Sequence, residues 1–334
     1  MELFRKILSF DSTSGREREL GEWLAAHLEA PRIETFEVGD GTLNVLLSWG
    51  TPKVVFCSHM DTVPPYIPPV FREDRVEGRG SCDAKGQVWA MYQACRSLAA
   101  EGRSGFGLLI LSGEETGSWG AKAFARTPFR APLLVVGEPT GNKMVSASKG
   151  TKSFGLKFLG EPFHSGYPQW GRSAVDMFLN FMQEVRSAPF PDDPVLGPAT
   201  WNVGQLQSPN PQNVLSGELS CRLYFRTTFA SDEAICTWMR AQASDNLEIT
   251  EYGGDSPARY LTLPGFPSAP VSFGSDAPHL SNFERKIICG PGSIRYAHRS
   301  DEHILLSDLE EAVSIYRNIF YHGLDERGPE KNLK

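Results

Sequence analysis

The sequence predicts an α/β protein whose main domain is interrupted by a smaller α+β segment. Three observations carry that prediction. Short apolar runs alternate with helix-spaced stretches over residues 1–150. The texture changes after Lys149-Gly150, where the alternating stretch 154–159 begins. A buried-strand pattern then returns late, at Lys286-Ile287-Ile288-Cys289, followed by the turn GPGS. The expected division is 1–150 with 266–334 as one discontinuous domain, and 151–265 as the insertion.

Taken in order, Ser14 with Glu17 three residues on matches a capping box, leading into a helix with Leu20, Trp23 and Leu24 on one face. The runs 43–47, 54–57, 106–111 and 133–136 are short and apolar and read as strands. Between them Val88, Met91, Cys95 and Leu98 recur at helical spacing, as a sheet crossover requires. In the insertion, residues 173–185 and 232–243 read as helices, with Phe178, Phe181, Met182 and Val185 facing inward on the first. The proline-rich passage SAPFPDDPVLGP and the strand-like ELSCRLYFRTTF lie between them. Near the end, Ser307 and Glu310 form a second capping-box pattern ahead of the stripe Leu309, Val313, Tyr316 and Phe320. The tail DERGPEKNLK has no apolar period and is expected to fray.

Composition narrows the function. Across 334 residues, 33 Lys plus Arg stand against 40 Asp plus Glu, a net charge of -7, so a concentrated basic face for nucleic acid is not expected. The first residues lack the apolar core of a secretory segment, and the charge-free stretch 260–275 is short and broken by prolines. A soluble cytoplasmic protein is the expectation, with no membrane partner. Cys57, Cys82, Cys95, Cys221, Cys236 and Cys289 form no close metal pair, and reduced thiols are expected.

The chemistry lies in five polar islands: SHMDTVP, GRGSCDAKG, SGEETGS, VVGEPT and YAHRSDEH. Four of them follow or adjoin expected strands, where open α/β sheets collect ligands. His59 alone fits a hydrogen-bonded core imidazole. With Asp61 two residues on, it also fits a zinc ligand whose second ring nitrogen is oriented by a carboxylate. Asp83 fits either a helix cap or a ligand, and Glu114-Glu115 either solvated loop charges or a ligand beside a proton acceptor. Glu138, directly after an apolar run, would suffer desolvation unless paired or ligating. His298 and His303 compete as the late ligand. The residues by themselves give an oxygen-rich candidate dizinc site without a settled coordination map.

SHMDTVP, RGSCDAKG, EET, GEPT and AHRSDE together resemble the signatures of the zinc-dependent aminoacylases and carboxypeptidases of metallopeptidase clan MH. That group includes acetylornithine deacetylase and succinyl-diaminopimelate desuccinylase. The resemblance implies a zinc-peptidase-like catalytic domain with a central mixed sheet, interrupted by a dimerisation or lid domain. It implies two zinc ions, replaceable by cobalt, held by His59, a bridging Asp83, Glu115, Glu138 and His298, the last chosen over His303 because AHRSDE matches the family's late pattern. Glu114 matches the general base and Asp61 the acid behind the ligands. In GEPFHSG, His164 matches a histidine that stabilises the oxyanion, commonly from the partner of a homodimer. Asn213 and Arg226 match substrate contacts, and Arg226 can hold a carboxylate bidentately. Two departures stand out: QLQSPNPQ replaces a paired-glycine turn, and Tyr224 replaces an acid before Arg226.

SFGSDAPHL and the short spacing from GPGS to AHRSDEH look most like acetylornithine deacetylase and related N-acyl-amino-acid amidohydrolases. The first expectation is therefore deacetylation of a small N-acyl amino acid, as in arginine or lysine biosynthesis. The alternatives are a dipeptidase or carboxypeptidase of the same family, and a noncatalytic metal-binding or small-molecule-binding protein.

Overall fold

A computed structural model describes residues 1–39 and 41–324; the tail DERGPEKNLK lies outside them. The chain divides into two compact units. The first comprises Met1–Ser146, Tyr260–Ala269 and the chain from Ser275 onward; the second comprises Ala147–Arg259 and Pro270–Gly274.

The first unit is built on a six-stranded mixed sheet. Its spatial order is Arg32–Glu37, Leu43–Trp49, Phe106–Leu111, Val54–His59, Ala131–Val136 and Phe283–Ile288. The last four run parallel, and the first two join antiparallel at one edge. Val54–His59 and Phe106–Leu111 are buried at every position. That is why they read as unbroken apolar runs rather than alternating ones.

The helix Lys85–Ala100 supplies the crossover between those two strands and packs against the strand Val54–His59 and the helix Leu306–Leu324. Val88, Met91, Cys95 and Leu98 are all buried on it. Leu309, Tyr316 and Phe320 of the last helix are buried in the same core, where the Tyr316 hydroxyl donates to the Cys289 carbonyl at 3.0 Å. Each such large side chain contributes about 1.5–3 kcal/mol relative to exposure.

Two capping expectations are corrected. The second helix runs Arg18–His27 and has no side-chain cap, because Ser14 and Glu17 are bonded elsewhere, as described below. Ser307 lies inside the helix Leu306–Leu324 rather than ahead of it. The edge strand Arg32–Glu37 escaped sequence reading because its charged, half-exposed residues carry little apolar signal.

The second unit is a four-stranded antiparallel sheet in the order Thr200–Gln207, Glu218–Thr227, Gly150–Leu159 and Leu247–Gly253. Phe154, Leu156, Phe158, Leu219, Leu223 and Phe225 share a core with the helices Ala174–Ser187 and Asp232–Ala241. Ser173 caps the first of these, its hydroxyl oxygen accepting the Asp176 N–H at 3.2 Å.

All six cysteines are buried and unpaired. Among the described residues no helix is long and apolar enough to cross a membrane.

Candidate metal centre

The site of the first unit follows from the parallel strands. His59 ends one strand, Glu114 and Glu115 follow Leu111, Glu138 follows Val136, and His298 lies in the segment after Ile288. Asp83 sits just ahead of the helix Lys85–Ala100. Strand ends and one helix start thus deliver all six side chains to the carboxyl edge of the sheet.

His59, Asp83 and Glu115 each bring one potential ligand atom within 4.8 Å of the others. Asp83 is shared by two imidazoles: its Oδ1 is 3.2 Å from His59 Nε2, and its Oδ2 is 3.4 Å from His298 Nε2. His298 Nε2 is also 3.0 Å from Glu115 Oε1. Separations of this size suit neighbouring corners of a tetrahedron whose corners lie about 2 Å from its centre, the geometry zinc prefers with nitrogen and oxygen ligands.

His298 adopts φ 65°, a left-handed backbone rare outside glycine, and its ring turns toward the two acids. His303 instead bonds the Asp301 carbonyl through Nδ1 at 2.8 Å and packs on Tyr296, with ring centroids 4.0 Å apart. The Cys82 thiol is aimed at the Ser293 carbonyl, 3.4 Å away.

The electrostatics describe a site short of positive charge. Burial, joined by the fields of Asp276, Glu115 and Asp83, raises Glu114 well above the ordinary carboxylate range against the pull of His59. Glu138 is buried and raised in the same way, first by desolvation and then by Glu114, and its Oε1 has no hydrogen-bond partner. Asp276 is pushed up to about 6, chiefly by burial, and its Oδ1 is likewise unpartnered. Burial acts against Asp83, yet hydrogen bonds from His298 and His59 hold it below its ordinary value. His298 is raised to about 10 by its bonds to Asp83 and Glu115. Several buried carboxylates with orphaned oxygens beside two imidazoles fit a divalent cation, which would offset their desolvation.

A layer of buried acids fixes these groups. Asp61 accepts the backbone N–H groups of Glu114 at 3.0 Å and Glu115 at 3.1 Å, and the Ser14 hydroxyl at 2.8 Å. Its Oδ1 lies 3.4 Å from His59 Nδ1, leaving Nε2 to face Asp83. Glu302 accepts the N–H groups of Cys82 and Asp83 at 3.0 and 3.1 Å through Oε1, and pairs with Arg79 at 2.5 Å through Oε2. Ser14, Glu17, Arg79, Glu302 and Asp276 had no place in the sequence-level site. Arg79 and Glu302 lie inside two of the islands and the other three outside them; burial, which marks the four charged groups, is not visible in sequence.

The second unit holds His164, Asn213 and Arg226. The Ser165 N–H donates to the Asn213 carbonyl at 2.9 Å, so the His164 loop and the 213–215 segment are paired. Arg226 projects from the central strand Glu218–Thr227 with its guanidinium 5.2 Å from the Tyr224 ring centroid.

Residues 55–322 match the family described as peptidase family M20/M25/M40. A peptidase M20 domain-containing protein of Schizosaccharomyces pombe is 31% identical over 340 residues, covering 96% of this chain and 84% of that protein. A probable carboxypeptidase of Aspergillus flavus is 31% identical over 374 residues, covering 97% and 87%. The crystal structure of a Staphylococcus aureus tripeptidase superposes with a TM-score of 0.80 at 18% identity, covering 96% of this chain and 97% of that one, a likeness of fold.

Proposed function

The chain belongs to the M20/M25/M40 peptidase family, a group of metallopeptidase-like hydrolases, and from that premise we propose that it is a dizinc peptidase releasing amino acids from small peptides with a free carboxylate. The observation that carries the metal chemistry is the Asp83 carboxylate, whose two oxygens face two different histidines. One zinc would be held by His59, Asp83 and a further carboxylate, the other by His298, Asp83 and a further carboxylate, with Glu115 and Glu138 supplying those acids. Bound there, zinc supplies Lewis-acid polarisation of the amide carbonyl and lowers the pKa of the attacking water.

The chain's own groups do the rest. Glu114 takes the water's proton and returns it to the departing amine, and burial, which raises its carboxyl above the ordinary range, strengthens it as a base. Asp61 holds the Glu114-Glu115 turn and the His59 ring. His164, donated from the partner of a homodimer, stabilises the oxyanion through Nε2. Asn213 and Arg226 bind the substrate's polar end, Arg226 as a fork on the carboxylate.

Peptide hydrolysis ranks ahead of deacetylation because curated relatives, including the Aspergillus flavus protein, are named probable carboxypeptidases. Deacetylation of acetylornithine or a related N-acyl amino acid is the second reading, favoured by SFGSDAPHL and the GPGS to AHRSDEH spacing. One zinc-reconstituted screen separates them. Dipeptides, tripeptides and their C-terminal amides are assayed beside acetylornithine, acetyllysine and succinyl-diaminopimelate for released amine. Turnover of free-carboxylate peptides with loss on amidation is expected; turnover of the acyl amino acids alone overturns the peptidase assignment. No amide turnover by a protein carrying two zinc ions points to the binding role instead.

A further inference from the structure

The His164 loop carries a feature that reaches beyond its family match. The Gly166 backbone N–H donates to His164 Nδ1 at 3.0 Å. A ring nitrogen can accept that bond only when it carries no proton, so the neutral imidazole must hold its proton on Nε2. We infer that Gly166 is a positioning residue that fixes His164 as the Nε2–H tautomer and aims that donor out of the loop. The inference rests on the reading of His164 as the oxyanion donor and deepens it.

Two observations make the arrangement specific. The His164 backbone is held on both sides: its carbonyl accepts the Tyr167 N–H at 2.9 Å, and it forms a bridge with Val214, flanked by Ser165 to Asn213 at 2.9 Å and Leu215 to Phe163 at 2.8 Å. The backbone that carries the ring is therefore held, and the Gly166 N–H is the hydrogen bond that orients the ring upon it. A Cβ at position 166 would then meet His164 Nδ1 at 3.2 Å and Cε1 at 3.3 Å, closer than ordinary contact. Any larger residue at 166 obliges the ring to give way by a few tenths of an ångström, which loosens its alignment with the N–H.

The chemical consequence follows from charge. A developing oxyanion is stabilised by an N–H and repelled by a ring lone pair. With Nδ1 occupied by Gly166, the outward nitrogen is a donor in the neutral ring, and no reorientation is needed when the oxyanion forms. The His164 ring is exposed, and Nε2 has no partner within the described residues, so that donor is free for substrate.

The test uses zinc-loaded protein labelled with 15N at its seven histidines, with the His164 resonances assigned by their loss in His164→Ala. Ring 15N shifts report the tautomer directly. The wild type is expected to show a single Nε2–H form at high pH. Gly166→Ala, which crowds the ring, and Gly166→Pro, which removes the N–H, should both show averaged tautomers with zinc content unchanged. On the best substrate of the screen, kcat should fall by about 10²-fold in Gly166→Ala while KM stays within about twofold, as displacement of an aligned donor predicts.

An Nδ1–H form in the wild type, or an identical tautomer mixture in wild type and both variants, overturns the inference. So does a Gly166→Ala protein that loses the fixed tautomer and keeps its kcat where His164→Ala loses its own. A fixed tautomer alongside a fully active His164→Ala protein leaves the Gly166 lock standing and removes the oxyanion reading, so the two failures are distinguishable.

Discussion

Glu17 accepts the backbone N–H of Gly113 at 3.0 Å across 96 residues of sequence. Asp61 accepts the next two N–H groups, those of Glu114 and Glu115. Two buried carboxylates therefore hold three successive amides of the turn that carries the general-base and ligand candidates. Gly113 turns the chain with φ 68°, which suits glycine. Glu17 is 1% exposed, its Oε2 has no partner, and desolvation, reinforced by Asp61, pushes its pKa up to about 7.

Glu17→Ala should leave the Gly113 N–H unsatisfied and destabilise the protein by about 1–3 kcal/mol, while Glu17→Gln keeps an acceptor and folds normally. The sign of the pH effect follows from the raised pKa. A carboxyl that binds its proton more tightly when folded adds stability at low pH, and the contribution fades as pH climbs from its ordinary 4.5 through about 7. Thermal melts of wild type and Glu17→Gln across that window test this. The variant should gain on the wild type as pH rises; parallel curves would show that Glu17 is not the titrating group.

Glu302 and Arg79 are 2% or less exposed and pair at 2.5 Å, so deleting one charge strands the other. Glu302→Ala should cost about 3–5 kcal/mol and loosen the Asp83 loop as well, because the Cys82 and Asp83 N–H groups lose their acceptor. Zinc affinity should fall together with stability in denaturant melts. A stable Glu302→Ala protein with wild-type zinc affinity would mean that the loop is held by something else.

The strands Val54–His59, Phe106–Leu111 and Ala131–Val136 were legible as short apolar runs, and the polar islands at their ends stand out against that background; Phe283–Ile288 was legible only at its apolar end, because Glu284, Arg285 and Lys286 break the run. The existence of the crossover helix, though not its ends at Lys85 and Ala100, followed from the spacing of Val88, Met91, Cys95 and Leu98. Ser14 and Glu17 were not legible in the same way. Their spacing is that of a local cap, yet Ser14 bonds Asp61 and Glu17 bonds Gly113, partners chosen by tertiary packing. His298 and His303 are rivals by residue type alone; the AHRSDE pattern selects His298, and the ring placed by φ 65° is the one that meets Asp83 and Glu115.

Glu114→Gln should retain two zinc equivalents and lose about 10²- to 10⁴-fold in kcat, the usual worth of a general base. Asp83→Ala should lose metal, since both imidazoles converge on that carboxylate. Elemental analysis and turnover are read on the same preparations. A nearly active Glu114→Gln protein would assign the base elsewhere, and full activity with one tightly held zinc would remove the second ion from the proposal.

His164 belongs to the second unit, whereas Asp83 and Glu115 belong to the first, and the proposed reaction needs both groups. If His164 serves the partner's site, His164→Ala binds two zinc ions but lacks its donor, and Asp83→Ala keeps the donor but lacks metal. A homodimer of either variant has no complete site. In a mixed dimer, the metal centre of the His164→Ala subunit meets the intact histidine of the Asp83→Ala subunit, and one site in two is restored. Differently tagged subunits are co-expressed, the mixed dimer is purified through both tags, and its zinc content and turnover are measured. About half the wild-type activity per dimer is expected, because rate depends on the number of complete sites when the sites act independently. A verified mixed dimer with one metallated centre and no activity would place His164 in its own subunit's site, since each subunit would then lack either metal or donor.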